Sequence, residues 1–221
     1  MILELKTREE WLAVRKKVVT ATEVPVLLGL NPFMSPNQLL KEKELSTFHG
    51  NAYTQIGEWL EPVVIQATNL TLGTDFRLLE ENGAKKFFHL DGLKLGATPD
   101  AISADGTILL ECKTTKPTSY IQYQMSPPDQ YILQLTTQLH CATLKQGYLS
   151  ILSTDLTQTS PQLDLRLSIY EVNCNQKLGA LIEEEVDRFW ACKEEGKDFK
   201  VNPQTKAHAK MLVDMCYKKI H

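Results

Sequence analysis

The chain predicts an α/β fold, a mixed central β-sheet with helices on both sides, and three observations carry that expectation. Apolar spacing is helical up to about Thr68. It turns short and alternating between Phe76 and Lys113, and helix, strands and helices follow. Asp105-Gly106 joins two apolar runs, Leu93 to Ile102 and Thr107 to Lys113, as a β-hairpin. A length of 221 residues, 43% hydrophobic and 23% charged, suits one domain with a sizeable core rather than two.

Each element has a local signal. Thr7-Arg8-Glu9-Glu10 has the form of a capping box, opening a helix that carries Trp11, Leu12, Arg15 and Val18. A second helix is expected from Thr20 or Thr22 to Gly29, with Pro25 in its first turn. Ser35-Pro36 opens a third, to about Leu45. Asn51 to Thr68 is amphipathic, with Tyr53, Ile56, Leu60, Val63 and Val64 as its apolar stripe and Pro62 as a kink site. Phe76 to Glu80, Lys86 to Leu90, Leu93 to Ile102 and Thr107 to Lys113 read as successive antiparallel strands. Ser126-Pro127-Pro128-Asp129 starts a helix to about His140. Gly147 to Ser153 and Leu163 to Val172 are strands, the second strictly alternating. A long helix from Asn175 ends at Gly196, and a last one follows Pro203.

Composition narrows the function classes. No apolar stretch is long enough to span a membrane, and Met1 to Lys6 lacks a signal-peptide core, so a cytoplasmic protein is expected. Cys112, Cys141, Cys174, Cys192 and Cys216 are scattered and never spaced as C-x-x-C. They read as reduced thiols, not as a disulfide framework or zinc site. A net charge of −3 argues against coating nucleic acid through bulk positive charge. Local basic clusters, such as Arg15-Lys16-Lys17 and Lys85-Lys86, can still line a channel while the outside stays acidic.

The chemistry concentrates at Thr98-Pro99-Asp100 and Glu111-Cys112-Lys113. The hairpin returns the second strand beside the first, bringing Asp100 near Glu111. Strand alternation points Glu111 and Lys113 to one face and Cys112 to the other. Two adjacent carboxylates suit Mg²⁺ or Mn²⁺. A lysine beside them can hold an attacking water or developing phosphorane charge. Glu-x-Lys is often only a solvated strand face, but Leu109-Leu110 directly before it indicates a covered strand. Glu58, on the amphipathic helix, borders its stripe and could reach a metal directly or through water. Tyr131 and Gln134, three apart, share a helix face, as do Gln134 and Gln138. Gln134 is placed to orient a water or phosphate oxygen. Arg15 with Thr20-Ala21-Thr22-Glu23 makes an anion site in principle, from a guanidinium fork and a helix N-terminus with a hydroxyl.

W-x3-R-x4-T-A-T-E (Trp11 to Glu23), G-E-x-x-E-P (Gly57 to Pro62), T-P-D (Thr98 to Asp100), E-C-K (Glu111 to Lys113) and Y-x-x-Q (Tyr131 to Gln134) occur in this order. With them the chain resembles the lambda-exonuclease-like branch of the PD-(D/E)XK nucleases, the YqaJ-type viral recombinases or alkaline exonucleases. The resemblance runs from about Trp11 to Leu152. It implies one domain over 1–221 with a restriction-endonuclease-like core at about 11–152, elaborated by the strand and helices of 163–221. It implies that Asp100, Glu111 and the main-chain carbonyl of Cys112 bind metal, that Glu58 helps hold a second ion, and that Lys113 positions or activates the water. Gln134 would orient nucleophile or phosphate. Arg15 and Thr22 would bind the terminal 5′-phosphate, with Thr98 and Tyr131 also on the DNA. Threonine stands at Thr22 and Thr98 where the family often has serine, which preserves the hydroxyl.

The implied activity is that of a Mg²⁺-dependent 5′→3′ exonuclease on double-stranded DNA ends, with Mn²⁺ as a substitute and two ions per site. It would release 5′-mononucleotides and leave 3′ single-stranded tails. A ring-shaped homotrimer, a single-strand annealing partner, and a phage or prophage origin in the bacterial cytoplasm go with that resemblance. The alternatives are an endonuclease of the same superfamily and a catalytically inactive DNA-binding module. An iron–sulfur nuclease would need a cysteine before the core, and none precedes Cys112.

Overall fold

A computed structural model describes residues 1–45, 52–81, 84–90, 92–154 and 166–221. Asn51 and residues 163–165, expected to start a helix and a strand, lie outside the described residues, as do the side chains of Tyr53 and Lys85. After strand β1 (Ile2–Glu4), α1 (Arg8–Lys17) opens at Thr7, whose Oγ1 accepts from the Glu10 amide at 3.1 Å. The Glu10 carboxylate reaches back to the Lys6 amide, one residue beyond the usual capping-box partner. The second helix is shorter than expected. Val19–Thr20 forms strand β2, leaving α2 only Val24–Leu27 before Gly29 turns the chain at φ +67°. Ser35 and Gln38 exchange hydrogen bonds at the start of α3 (Pro36–Leu45).

Helix α4 (Ala52–Leu72) runs four residues past Thr68 and contains Pro62. Val64, Ile65 and Thr68 are its buried face, while Val63 is 41% exposed. One residue is about 100° of helix, enough to rotate Val63 off the buried stripe.

The single strand expected over Leu93–Ile102 is two. After β3 (Arg77–Leu78), β4 (Glu80–Glu81) and β5 (Ala84–His89), the chain forms β6 (Leu95–Ala97) and β7 (Ala101–Ile102) in different sheets. The break falls at Thr98-Pro99-Asp100, where Pro99 has no N–H for a ladder. Thus the expected central sheet becomes two mixed sheets. The first runs β1-β5-β6-β2, with β4 on β5, and is antiparallel except for β2 with β6. The second includes β8 (Ile108–Thr115), β9 (Gln146–Ser153), β10 (Arg166–Asn173) and β11 (Tyr217–Lys219) in the order β11-β10-β9-β8-β7-β3. There β8 and β9 are parallel. Parallel neighbours need a crossover, and α5 (Pro117–Tyr123) with α6 (Asp129–Ala142) supplies it.

Helix α6 decides the interior. It packs on β9 and β10 of one sheet and on β5 and β6 of the other, so residues 132–139 are all buried. Two of its polar members are satisfied within the helix: the Thr136 and Thr137 hydroxyls donate to the carbonyls four residues back. Helix α4 covers the opposite face of β8 and β9, where Val64, Ile65, Leu110 and Cys112 form a second cluster. On β10 the expected alternation holds, but both faces are covered. Ser168 and Tyr170 are buried, bonded to the Tyr120 hydroxyl and the Tyr123 carbonyl. Helices α7 (Gln176–Glu194) and α8 (Pro203–Asp214), capped by Asn175 and Asn202, close the main core. No helix among the described residues is long and apolar enough to cross a membrane.

Candidate active site at the strand break

Strand β8 is paired on both edges, so its side chains leave the sheet only up or down. Leu109 enters the α6-side core, and Leu110 and Cys112 the α4-side core. Glu111 therefore points toward α6, only 1% exposed. A carboxylate this buried needs donors, and α6 provides them one turn apart. The Gln134 Nε2 donates to Glu111 Oε1 at 2.5 Å and the Gln138 Nε2 to Oε2 at 2.7 Å. The Lys113 ammonium, two residues along on the same face, also donates to Oε1. The Gln138 Oε1 has no hydrogen-bond partner among the described residues. Its amide orientation is set by the carboxylate, since the flipped amide would place oxygen against oxygen.

Asp100 lies where the chain leaves the first sheet for β7. The register Ala101↔Leu110, continued by one residue, sets Asp100 opposite Glu111. The Cys112 amide donates to Asp100 Oδ2 at 2.8 Å. Burial, then the neighbouring carboxylates of Glu111 and Glu61, push the Asp100 carboxyl well above the ordinary carboxylate range, outweighing Lys113 and the Cys112 amide. Burial works against the Lys113 ammonium, but Glu111 and Asp100 more than offset it and raise its pKa. Its Nζ sits 5.3 Å from the centre of the Tyr131 ring.

The N-terminal segment closes the other wall. Trp11 Nε1 donates to Thr98 Oγ1 at 3.2 Å, tying α1 to the loop that carries Asp100. The Arg15 guanidinium lies 4.4 Å from the Trp11 ring centre. Burial lowers the Arg15 pKa, with the Glu23 carboxylate opposing. Thr22 is exposed on the turn between β2 and α2.

One cavity of about 650 Å³ gathers these groups. Arg15, Thr22, Glu58, Thr98, Asp100, Glu111, Cys112, Lys113, Tyr131 and Gln134 all line it, whereas Thr20, Glu23 and Gln138, also noted in the sequence, do not. Glu61 lines it too, and it was not singled out. Glu58 is exposed at the wall. Glu61, three residues on, is partly buried and its field reaches both Asp100 and Cys112. The available signal was spacing: Glu61 precedes the buried Val64 by three, which stacks it over the packed stripe.

The donor set fits a hard divalent cation. Asp100, Glu111 and the Cys112 carbonyl offer oxygen from adjacent strand positions, and a cation would favour the ionised form of Asp100 that burial and the neighbouring carboxylates disfavour. Among the described residues no group of three or more His, Cys, Asp or Glu side chains forms a metal cage. A sparse oxygen set is what Mg²⁺ uses when water and substrate phosphate complete its octahedron.

A family model described as the YqaJ-like viral recombinase domain matches residues 10–145, which include both carboxylates, the lysine and the arginine. The chain belongs to that family. Membership bears out the resemblance read from the five short motifs, and the match ends at the start of β9, leaving the C-terminal strands and helices beyond it. No curated protein matches the chain. Its fold is shared with an alkaline exonuclease, LHK-Exo, from Laribacter hongkongensis, at 22% identity and a TM-score of 0.64 over 94% of this chain and 100% of that one. The structure of LHK-Exo in complex with dAMP gives 22% identity and a TM-score of 0.66 over 95% and 100%. A phage-related exonuclease from Haemophilus somnus 129PT is similar over 90% of this chain and 96% of that one, at 11% identity and a TM-score of 0.55. For this YqaJ-like chain, the likeness shows the restriction-endonuclease-like fold.

Proposed function

We propose that the protein is a Mg²⁺-dependent 5′→3′ exonuclease acting on double-stranded DNA ends. The observation that carries this reading is the meeting of Asp100, Glu111 and Lys113 in one cavity that Arg15 also lines. Membership of a viral recombinase family and a fold shared with two exonucleases support it. Held by Asp100, Glu111 and the Cys112 carbonyl, with Mn²⁺ as a substitute and a second ion near Glu58 and Glu61, the metal would supply Lewis-acid activation of water and stabilise the leaving 3′-oxygen.

The chain's own groups do the rest. Lys113, kept charged by Glu111 and Asp100, holds the attacking water or the charge developing on phosphorus. Gln134 and Gln138 fix the Glu111 carboxylate so that it meets the reacting centre in one orientation. Arg15 offers its fork of donors, and Thr22 its hydroxyl, to the terminal 5′-phosphate. Thr98 accepts from Trp11 and keeps its own O–H for a backbone phosphate. The Tyr131 ring backs the Lys113 ammonium beside the DNA. Water oxygen bonds to phosphorus, the P–O3′ bond breaks, and a proton reaches the 3′-oxygen. The products are a 5′-mononucleotide and a lengthening 3′ tail, the substrate of a single-strand annealing partner. A ring-shaped homotrimer would keep such an acidic chain on its DNA.

The test is a time course on linear duplex labelled at either end, with Mg²⁺ or EDTA, and closed circular DNA in parallel. Immediate, metal-dependent release of the 5′ label as mononucleotide, with circles intact, is expected. Cut circles would indicate an endonuclease, and no cleavage with any divalent metal a binding module. Within this reading Glu61→Gln should lower the cleavage rate about 10–100-fold, and Glu58→Gln by much less, because Glu61 is the carboxylate whose field reaches Asp100. Rates at saturating Mg²⁺ check it, and equal losses would remove the distinction.

A further inference from the structure

One buried ion pair at the edge of the site is not used by the proposed chemistry. Lys43, on α3, has its side chain only 4% exposed, and Glu23 17%. The Lys43 ammonium donates to Glu23 Oε1 at 2.8 Å, to Oε2 at 2.7 Å, and to the main-chain carbonyl of Arg15 at 2.7 Å. Glu23 Oε2 also accepts the Thr20 amide at 2.8 Å. Three pieces of chain meet here: the last turn of α1 that carries Arg15, the turn that carries Thr22, and α3.

Stability alone does not explain the pair, because well-packed apolar residues hold such a place equally well. Glu23 is the carboxylate whose field reaches the Arg15 guanidinium. Without a counter-charge it would oppose any anion drawn to Arg15. We propose that Lys43 is a positioning residue of the strand-end pocket: it cancels the Glu23 charge and joins the Arg15 turn to the Thr20–Glu23 turn, so that the pocket accepts a 5′-phosphate. This rests on the reading of Arg15 and Thr22 as the end-binding groups.

The test is binding of short blunt duplexes, 5′-phosphorylated or 5′-hydroxyl, by fluorescence anisotropy in EDTA. The readout is the ratio of the two Kd values. The wild type should prefer the phosphorylated end, and Arg15→Ala should abolish that preference. Lys43→Met should lower the preference about tenfold, the size of one charge-assisted contact. Adding Glu23→Gln to Lys43→Met removes both charges and should restore most of it, which a merely structural clasp would not do. Should Lys43→Met alone fail to fold, Lys43→Gln, which removes the charge and can still donate to the Arg15 carbonyl, supplies the single-variant ratio. An unchanged ratio in Lys43→Met, or a double variant without preference, overturns the role of Lys43 while leaving the end pocket standing. A wild type with no preference, or an Arg15→Ala variant that keeps it, overturns the end pocket itself.

Discussion

Lys113→Ala should lower the single-turnover cleavage rate about 10³-fold while the Kd for duplex DNA changes only a few-fold. The magnitude is that of removing one preorganised charge from a site where charge develops. The asymmetry between rate and binding follows from position. Lys113 lies on the Glu111 face of β8, in contact with the carboxylate and over the Tyr131 ring, whereas Arg15, Thr22 and Thr98, proposed to meet DNA phosphates, lie on α1 and the loops. The ammonium is held in its charged form by Glu111 and Asp100. The role proposed for it is therefore to place a water or stabilise charge, not to accept a proton at neutral pH. Lys113→Arg should restore little. A guanidinium is larger, and the space is bounded by Glu111, Gln134 and the aromatic ring. Retention of the wild-type rate in Lys113→Ala would sink the assignment of the site.

The groups around Lys113 differ in how visible they were in the sequence, and the difference is physical. Asp100, Glu111 and Lys113 were legible because the strand period and one Asp-Gly turn are local rules, and together they dictate which side chains become neighbours. The Gln134–Gln138 pair was half legible. Helical spacing puts both on one face, but only the packing of α6 between two sheets turns that face from solvent to the buried Glu111. The link from Trp11 to Thr98 spans 87 residues, and Lys43 to Glu23 spans 20. No local period encodes such contacts. The division into two sheets had a signal, Pro99, which breaks the ladder between β6 and β7. The edge strands β1 and β11 had none, since three residues gain strand geometry only from the partner they pair with. Passing over Glu61 is the same kind of limit. It shares one six-residue motif with Glu58, and only the packing of α4 on β8 brings its field to Asp100.

Asp100→Asn should have opposite effects on stability and on activity. In the metal-free protein the Asp100 carboxylate is desolvated and faces Glu111 and Glu61, so its folded-state pKa lies well above the ordinary value of 3.8. The sign follows. A carboxyl whose pKa is raised by folding contributes stability that is full below its unfolded pKa and is lost as pH rises through its folded pKa. Ionised Asp100 is then a net burden on the metal-free fold at neutral and alkaline pH. Asparagine keeps the shape and an oxygen for the Cys112 amide, and it cannot ionise. Asp100→Asn should therefore melt higher than wild type in EDTA at pH 8, by roughly 2–4 °C for each kcal/mol relieved, and the gap should close as the pH falls toward 4. Mg²⁺ should raise the melting temperature of the wild type, because it binds the native state, and should leave the variant almost unmoved. Cleavage should be lost in the variant. Thermal melts at both pH values, with and without Mg²⁺, check all of this. A variant that melts lower in EDTA at pH 8, or gains as much from Mg²⁺ as the wild type, would show that Asp100 is held by packing and not poised for a cation.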